Sequence, residues 1–441
     1  VVARHSVVLM LFLVLSMIAT ACTGQPGTPA ASALSLYGDL ERLDPGGEII
    51  TVWYPAAYED VLLRMLDRFN AENRWGIAVR GVRADDVAQL YARMQSAAAM
   101  GRLPDLVILS PGYLAVSAAD GLAVELTPYL KSPRWGFSAA EQGEFYPFAR
   151  QAGQLVRPSG RYGFPFAFSA GLLVYNRGWL QQLGYDHPPR TWDEFREMAC
   201  AVSIPEEGVY GYEFPVDDHT FIRMLIGRGG RLMNEEETEY TFGDDKGLEA
   251  LTFLRVLLAE GCAVREARWE QAEADFAAGR VLFVMSNNLH IPHYRQIAAQ
   301  RGGLDWAVAP LPTSTGVPVT DFFGVYWSIP PTTPQRQLAA WLVIRWMNGP
   351  DQQARWVSLS DYLPHRRLPE KFQAARVEET PQYADVLALL DLGAVTEPEV
   401  AGYEKCRDAV QMMVGAAVAG EDPSPHLMQT VGFCNSVLRE K

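Results

Sequence analysis

Short apolar runs alternate with amphipathic helical patterns twice along this chain, and that alternation limits the fold more than any other feature. Glu48 to Tyr54 (EIITVWY) reads as a short buried strand, and Val61, Leu62, Met65, Leu66 and Phe69 then recur at helical spacing. Ile77 to Val82 forms a second strand. A second helix runs from Val87 through Leu90, Tyr91 and Met94, capped by Asp85 or Asp86. Leu103 to Ser110 (LPDLVILS), bounded by prolines, is a third buried strand. The pattern restarts at Tyr162–Asn176, a long strand-prone run. A helix follows from Thr191 with a capping box, in which Thr191 and Glu194 satisfy each other's amides. Leu248–Leu258 and Ala272–Ala278 are further helices, and Val281–Met285 a further strand. Strand–helix alternation of this kind makes a mostly parallel sheet covered by helices. With 441 residues, half of them apolar, the chain suffices for two such cores, so the expectation is a two-lobed α/β protein.

The first residues carry Arg4 and His5, an apolar run from Val7 to Ile18, and Ala19-Thr20-Ala21 directly before Cys22. The run is too short to span a membrane as a helix and has the layout of an export signal. Small residues followed by cysteine resemble a bacterial lipobox, with Ala19 where leucine is usual; an ordinary signal peptide with an incidental cysteine is the alternative. The expected division is a lipoprotein signal peptide over 1–21, then Cys22, acylated, and a flexible tether over 22–48, rich in Ala, Pro, Gly, Ser and Thr. In an exported protein the four other cysteines, Cys200, Cys262, Cys406 and Cys434, either form two disulfides with three possible connectivities or stay as buried thiols.

A net charge of −14 without a basic block argues against nucleic acid and anionic lipid as partners, leaving the lipid anchor as the membrane contact. Catalytic signatures are lacking: there is no GxSxG, HExxH or P-loop, and 52 acidic residues single out no carboxylate pair. His290 and His293 lie three apart, a spacing that suits a metal pair but more often belongs to structural or surface histidines. The expectation is a monomer without cofactor, metal or catalysis.

Several segments in order carry a resemblance: VWY at 52–54, GRLPDLVILSPGYLAVSAADGLAVELTPYL from Gly101, YGFPFAFSAGLLVYNRGWLQQLGYDHPPRTWDEF from Tyr162, FAAGRVLFVMSNN from Phe276, and WAVAPLP from Trp306. Between about Ile49 and Val431 the chain resembles the bacterial extracellular solute-binding proteins of the maltose-binding and glycerol-3-phosphate-binding type. The resemblance implies a type II periplasmic-binding-protein fold, with lobe 1 formed by 49–168 and 311–368 and lobe 2 by 169–310 and 369–441. The chain would cross near Phe168–Ser169, Pro310–Leu311 and Pro369. It further implies a small-molecule ligand, a sugar or sugar-like polyol, held in the hinged cleft and handed to the transmembrane permease subunits of an ABC importer. A lipoprotein receptor of the same fold without a transport role is the alternative, and a secreted carbohydrate-active enzyme a more distant one.

Sugar sites need flat apolar faces and directed polar groups, and in α/β sheets ligands meet the loops beyond the strands' carboxyl ends. That rule nominates Tyr54, Tyr58, Asp86 and Tyr113 in the first half of the chain. Ser286, Asn287 and Asn288 follow a buried strand and either cap a helix or bind ligand. By the resemblance, Phe168, Ser169, Phe322, Gly324, Tyr362, Arg366 and Arg407 join them. Phe323 stands where family members often carry the first glycine of a pair. Helix-surface ion pairing explains Arg407 equally well.

Overall fold

The computed structural model describes residues 36–266, 268–300 and 303–440. The chain begins with β1 (Ile49–Pro55), α1 (Glu59–Glu72), β2 (Ala78–Ala84), α2 (Val87–Ala99), β3 (Leu106–Leu109) and α3 (Pro111–Ala119). Short helices and the hairpin of β4 (Gln154–Leu155) and β5 (Gly160–Arg161) lead to the long β6 (Phe164–Asn176). Next come α4 (Trp192–Val202), β7 (Tyr210–Pro215), α5 (Asp218–Gly227), α6 (Asp245–Ala259), β8 (Ala263–Glu266), α7 (Trp269–Ala277), β9 (Val281–Asn287) and α8 (Ile291–Gln300). The remainder is β10 (Trp306–Ala309), β11 (Val319–Ser328), α9 (Pro334–Met347), α10 (Pro350–Ser360), α11 (Glu370–Glu379), α12 (Gln382–Leu389), β12 (Gly393–Thr396), α13 (Tyr403–Val418) and α14 (Pro423–Arg439).

One sheet runs through both lobes in the order β2-β1-β3-β11-β6-β9-β7-β8, with β10 beside β6 and β12 beside β11. The joint lies in β6 and β11. Residues 164–169 of β6 pair antiparallel with β11, whereas residues 171–176 pair with β9 and β10. Pro165 offers no N–H to the ladder, and the register of β6 against β11 shifts between Val325 and Tyr326, opposite it. All 13 residues of β6 are buried, which explains a strand without polar alternation. Leu172 and Val174 join a core continuous with lobe 1, while Leu173 and Tyr175 join a second core with α4, α5 and α6.

The amphipathic patterns became helices for the expected reason. Leu62, Met65, Leu66 and Phe69 form the buried stripe of α1, and the Thr191–Glu194 capping box starts α4. The disulfides are Cys200–Cys262, which ties α4 to the start of β8, and Cys406–Cys434, which ties α13 to α14.

Two boundaries differ from expectation. Residues 36–47 are not tether: Leu36, Tyr37, Leu40 and Leu43 pack on lobe 1, the Tyr37 hydroxyl donates to Glu125 O at 2.9 Å, and Trp135 Nε1 to Leu40 O at 2.8 Å. These apolar side chains sit within a composition otherwise typical of a linker. Beyond Leu311 the chain also stays on lobe 2, where Thr313 N donates to Arg190 O and Ser314 N to Gly227 O. Within β11, Val319–Phe322 pair with β12 and Phe323–Trp327 with β6. After Pro369, α12 packs against β10, and Arg295 of α8 donates to Glu379 O. Cys22 and the export signal lie outside the described residues. Among those described, no helix is long and apolar enough to cross a membrane.

Candidate ligand site between the lobes

The carboxyl ends of the strands in both lobes face one another across the β6–β11 joint. On the lobe 1 side, Tyr58 follows β1. Its ring lies edge-on to Phe166 at 5.2 Å and 6.0 Å from Tyr362, which stacks on Trp356 at 5.9 Å. Tyr58 and Tyr362 share a hydrogen bond, and burial pushes both phenols above their ordinary pKa. Tyr113, in the first turn of α3, stacks on Tyr91 at 4.7 Å. Burial and then the charges of Glu404, Asp86 and Asp408 raise its phenol.

Lobe 2 contributes a charged network. Asp217 caps α5 by accepting from Thr220 N, which places Asp218 and His219 beyond the end of β7. Arg407, one turn into α13, donates to Asp218 at 2.5 Å and stands 3.4 Å from Glu397; its Nη2 lies 3.1 Å from His219 Nε2. Tyr403 donates to Glu397 at 3.2 Å. Deeper, Arg223 meets Asp321 of β11 at 3.3 Å, and His219 lies 3.7 Å from the same carboxylate. Burial works to raise the pKa of Asp218 and of Asp321, but His219 and Arg407 at the first, and Arg223 and His219 at the second, outweigh it and hold both below the usual range. Glu397 goes the other way, raised by burial more than Arg407 lowers it. A cavity of about 290 Å³ beside the network is lined by His219, Asp321, Thr396, Glu397, Tyr403 and Arg231, among others. The Tyr403 ring beside the donors and acceptors of this cavity suits a polyhydroxylated molecule.

The lobes also touch directly away from this network. Asn288 accepts from Ser169 Oγ and Ala170 N, both at 2.8 Å, and donates to Asp361 O at 2.7 Å, so it joins the crossing strand to the turn after α10. Glu404 of α13 accepts a short hydrogen bond from Ser110 Oγ at the start of α3.

The structure thus brings Tyr58, Tyr113, Ser169, Asn288, Tyr362 and Arg407 to the interlobe region. Other nominated residues do different work. Tyr54 is inside lobe 1, its ring against Gly81 and its hydroxyl on Glu59 at 3.2 Å. Phe168 packs on Phe148 and Tyr326, and Phe322 stacks on Phe148 at 4.6 Å, because both sit on strands covered on their two faces. Gly324 lies against the backbone of Ala167 and Phe168 and leaves no room for a side chain. Arg366 is 2 % exposed, donating to Asn348 O and bonded to Glu144, so its charge is used within lobe 1. Asp86 caps α2 through Gln89 N, Asn287 accepts from Leu289 N and from Ser169 Oγ at 3.4 Å, and Ser286 is buried in β9. His290 and His293 both pair with Glu273. The residues missed were Asp218, His219, Asp321, Glu397, Tyr403 and Glu404. The strand-end rule applied to the FPVDDHT segment would have found Asp218 and His219; Glu404 and Arg407 share a helix, one of whose faces meets the cleft.

Two α/β lobes on shared strands, with polar and aromatic residues between them, define a two-lobed binding protein. The chain belongs to the family of bacterial extracellular solute-binding proteins, whose profile matches residues 64–383. A maltotriose-binding protein of Pyrococcus abyssi is 22% identical over 275 residues, 60% of this chain and 55% of that protein. A putative binding protein of Brucella abortus is 22% identical over 292 residues, 63% and 68% of the two chains. Among solved structures, the cyclic alpha-maltosyl-1,6-maltose binding protein of Arthrobacter globiformis superposes with a TM-score of 0.75 at 19% identity, covering 90% of this chain and all of that one. The sugar-binding protein MalE of Xanthomonas citri superposes with a TM-score of 0.76 at 20% identity, covering 88% and 97%.

Proposed function

We propose that this protein captures a sugar or sugar-like polyol between its lobes and delivers it to the permease subunits of an ABC importer, as a monomer anchored through acylated Cys22 and without turning the ligand over. The observation that supports the reading is the pairing of aromatic residues on the lobe 1 side, Tyr58, Tyr113 and Tyr362, with a polar cavity on the lobe 2 side lined by His219, Glu397 and Tyr403 beside the Asp218–Arg407 pair. Ligand that bridges the lobes favours the closed form over the open one, which is the state a permease can distinguish. The sugars named for the relatives above support the ligand class. Lobe 1 is taken as 49–168 with the later part of β11 through 368, and lobe 2 as 169 through the start of β11 with 369–441.

A thermal-shift screen against mono-, di- and oligosaccharides, polyols, glycerol phosphodiesters and amino acids tests this reading. A saturable rise in Tm with a saccharide, following RT ln(1 + [L]/Kd) and without consumption of the ligand, is expected. A response to amino acids alone, or turnover of the sugar, refutes it.

A further inference from the structure

Glu404 stands in the first turn of α13 in lobe 2, yet its side chain ends in lobe 1. One carboxylate oxygen takes the hydrogen bond from Ser110 Oγ, and the other lies over Gly112, where an added methyl group would collide with it. Ser110 is the N-cap of α3 but its side chain accepts nothing from the helix, and Pro111 has no N–H to offer. The positive end of this nine-residue helix therefore meets a carboxylate supplied by the opposite lobe. The neighbouring charges have the same sign: Tyr113 is surrounded by Glu404 and Asp408 from lobe 2 and Asp86 from lobe 1. The nominated cations are engaged elsewhere. Arg407 is matched by Asp218 and Glu397, and Arg366 by Glu144 within lobe 1.

We infer that Glu404 determines the charge specificity of the cleft, filling the place in lobe 1 where an anion would bind, so that the site takes neutral or ammonium-bearing sugars and rejects those carrying phosphate, sulfate or carboxylate. The sugar class rests on the function proposed above; the sign of the charge does not. A ligand hydroxyl or ammonium can donate to Glu404 in place of Ser110, whereas an anionic group meets a carboxylate already seated at the helix end, flanked by two more.

The test uses the full chain, wild type and Glu404→Gln, with inorganic phosphate at constant ionic strength and with glucose and glucose 6-phosphate as a matched pair. Wild type is expected to give no saturable phosphate response, and Glu404→Gln to bind phosphate at least about tenfold more tightly. The glucose 6-phosphate to glucose affinity ratio should rise by a similar factor; this ratio is informative because damage to the fold or to lobe closure lowers both affinities together. Saturable phosphate binding to wild type within about tenfold of the variant overturns the inference. An unchanged ratio in the variant also overturns it. If neither sugar binds any variant, the phosphate titration alone decides the role of Glu404.

Discussion

Replacing Arg223 by methionine keeps most of the aliphatic volume of the side chain and removes the guanidinium that meets Asp321. Arg223 is 1 % exposed and Asp321 4 %, so no bulk water takes over the solvation of the carboxylate. At the 3.3 Å separation seen here, the Coulomb term in an effective dielectric of 20 is about 5 kcal/mol. Measured losses on breaking one side of a buried pair are about 3–5 kcal/mol. An unfolding entropy of roughly 2.1 cal/mol/K per residue over about 400 residues turns that loss into a Tm decrease of about 4–6 °C, read by circular dichroism at pH 7.5. Adding Asp321→Asn to Arg223→Met removes the stranded charge and should recover more than half of the decrease, since a neutral pair of similar volume escapes the desolvation penalty. A single variant melting within about 1 °C of wild type would refute the reasoning, as would a double variant less stable than the single one.

The remaining expectations test other parts of the molecule. Tyr362→Ala should weaken binding of the cognate sugar by about tenfold or more, measured by calorimetry, because it removes a ring face beside Tyr58 and Trp356. Reduction of the two disulfides should lower the stability of the protein in urea, with Cys200→Ser plus Cys262→Ser the more harmful pair: its 62-residue separation gives about 4 kcal/mol by loop closure, against about 3.5 kcal/mol for the 28-residue separation of Cys406 and Cys434. Glu399 is pushed up to about 7 by burial, so between roughly pH 4.5 and 7 the folded chain holds a proton that the unfolded chain has lost. Its contribution to stability is thus complete below that window and declines as pH rises through it, and Glu399→Gln should flatten the decline in a series of urea titrations. His365, pushed down to about 3 by burial, acts in the opposite direction. The unfolded chain binds its proton near pH 6.5 while the folded chain does not, so stability falls as pH drops below that value, and His365→Asn should reduce the fall.

Local signals were easy to read in the sequence, and pairings across long distances were not. The capping box at Thr191 and the apolar stripe of α1 depend on residues three or four apart, and both appear in the structure. Asp218 and Arg407 are 189 positions apart, and Ser110 and Glu404 are 294 apart, so nothing in one sequence joins them. Period-two reasoning also failed where it was most needed. Both faces of β6 are covered, so alternation could not show that Phe168 packs inward on Phe148 while Ser169 meets Asn288. Tyr37 and Leu40 were hidden by their surroundings, because a stretch rich in Ala, Pro, Ser and Thr reads as linker whatever its few large side chains touch.

Two strands, β6 and β11, run along the boundary between the lobes. β6 and β11 lie side by side at the joint, each held by ladder bonds into a lobe, and Asn288 fastens β6 to the turn before Tyr362. Opening the cleft must therefore twist two coupled ribbons over the few peptide units around Ser169 and Phe323. Such a joint behaves like a torsion bar: it has a preferred angle and resists rotation in either direction. The gap into which a ligand arrives is then set largely by the backbone of two strands, and a ligand too large to let those ribbons return would be held without producing the closed shape that a permease recognises.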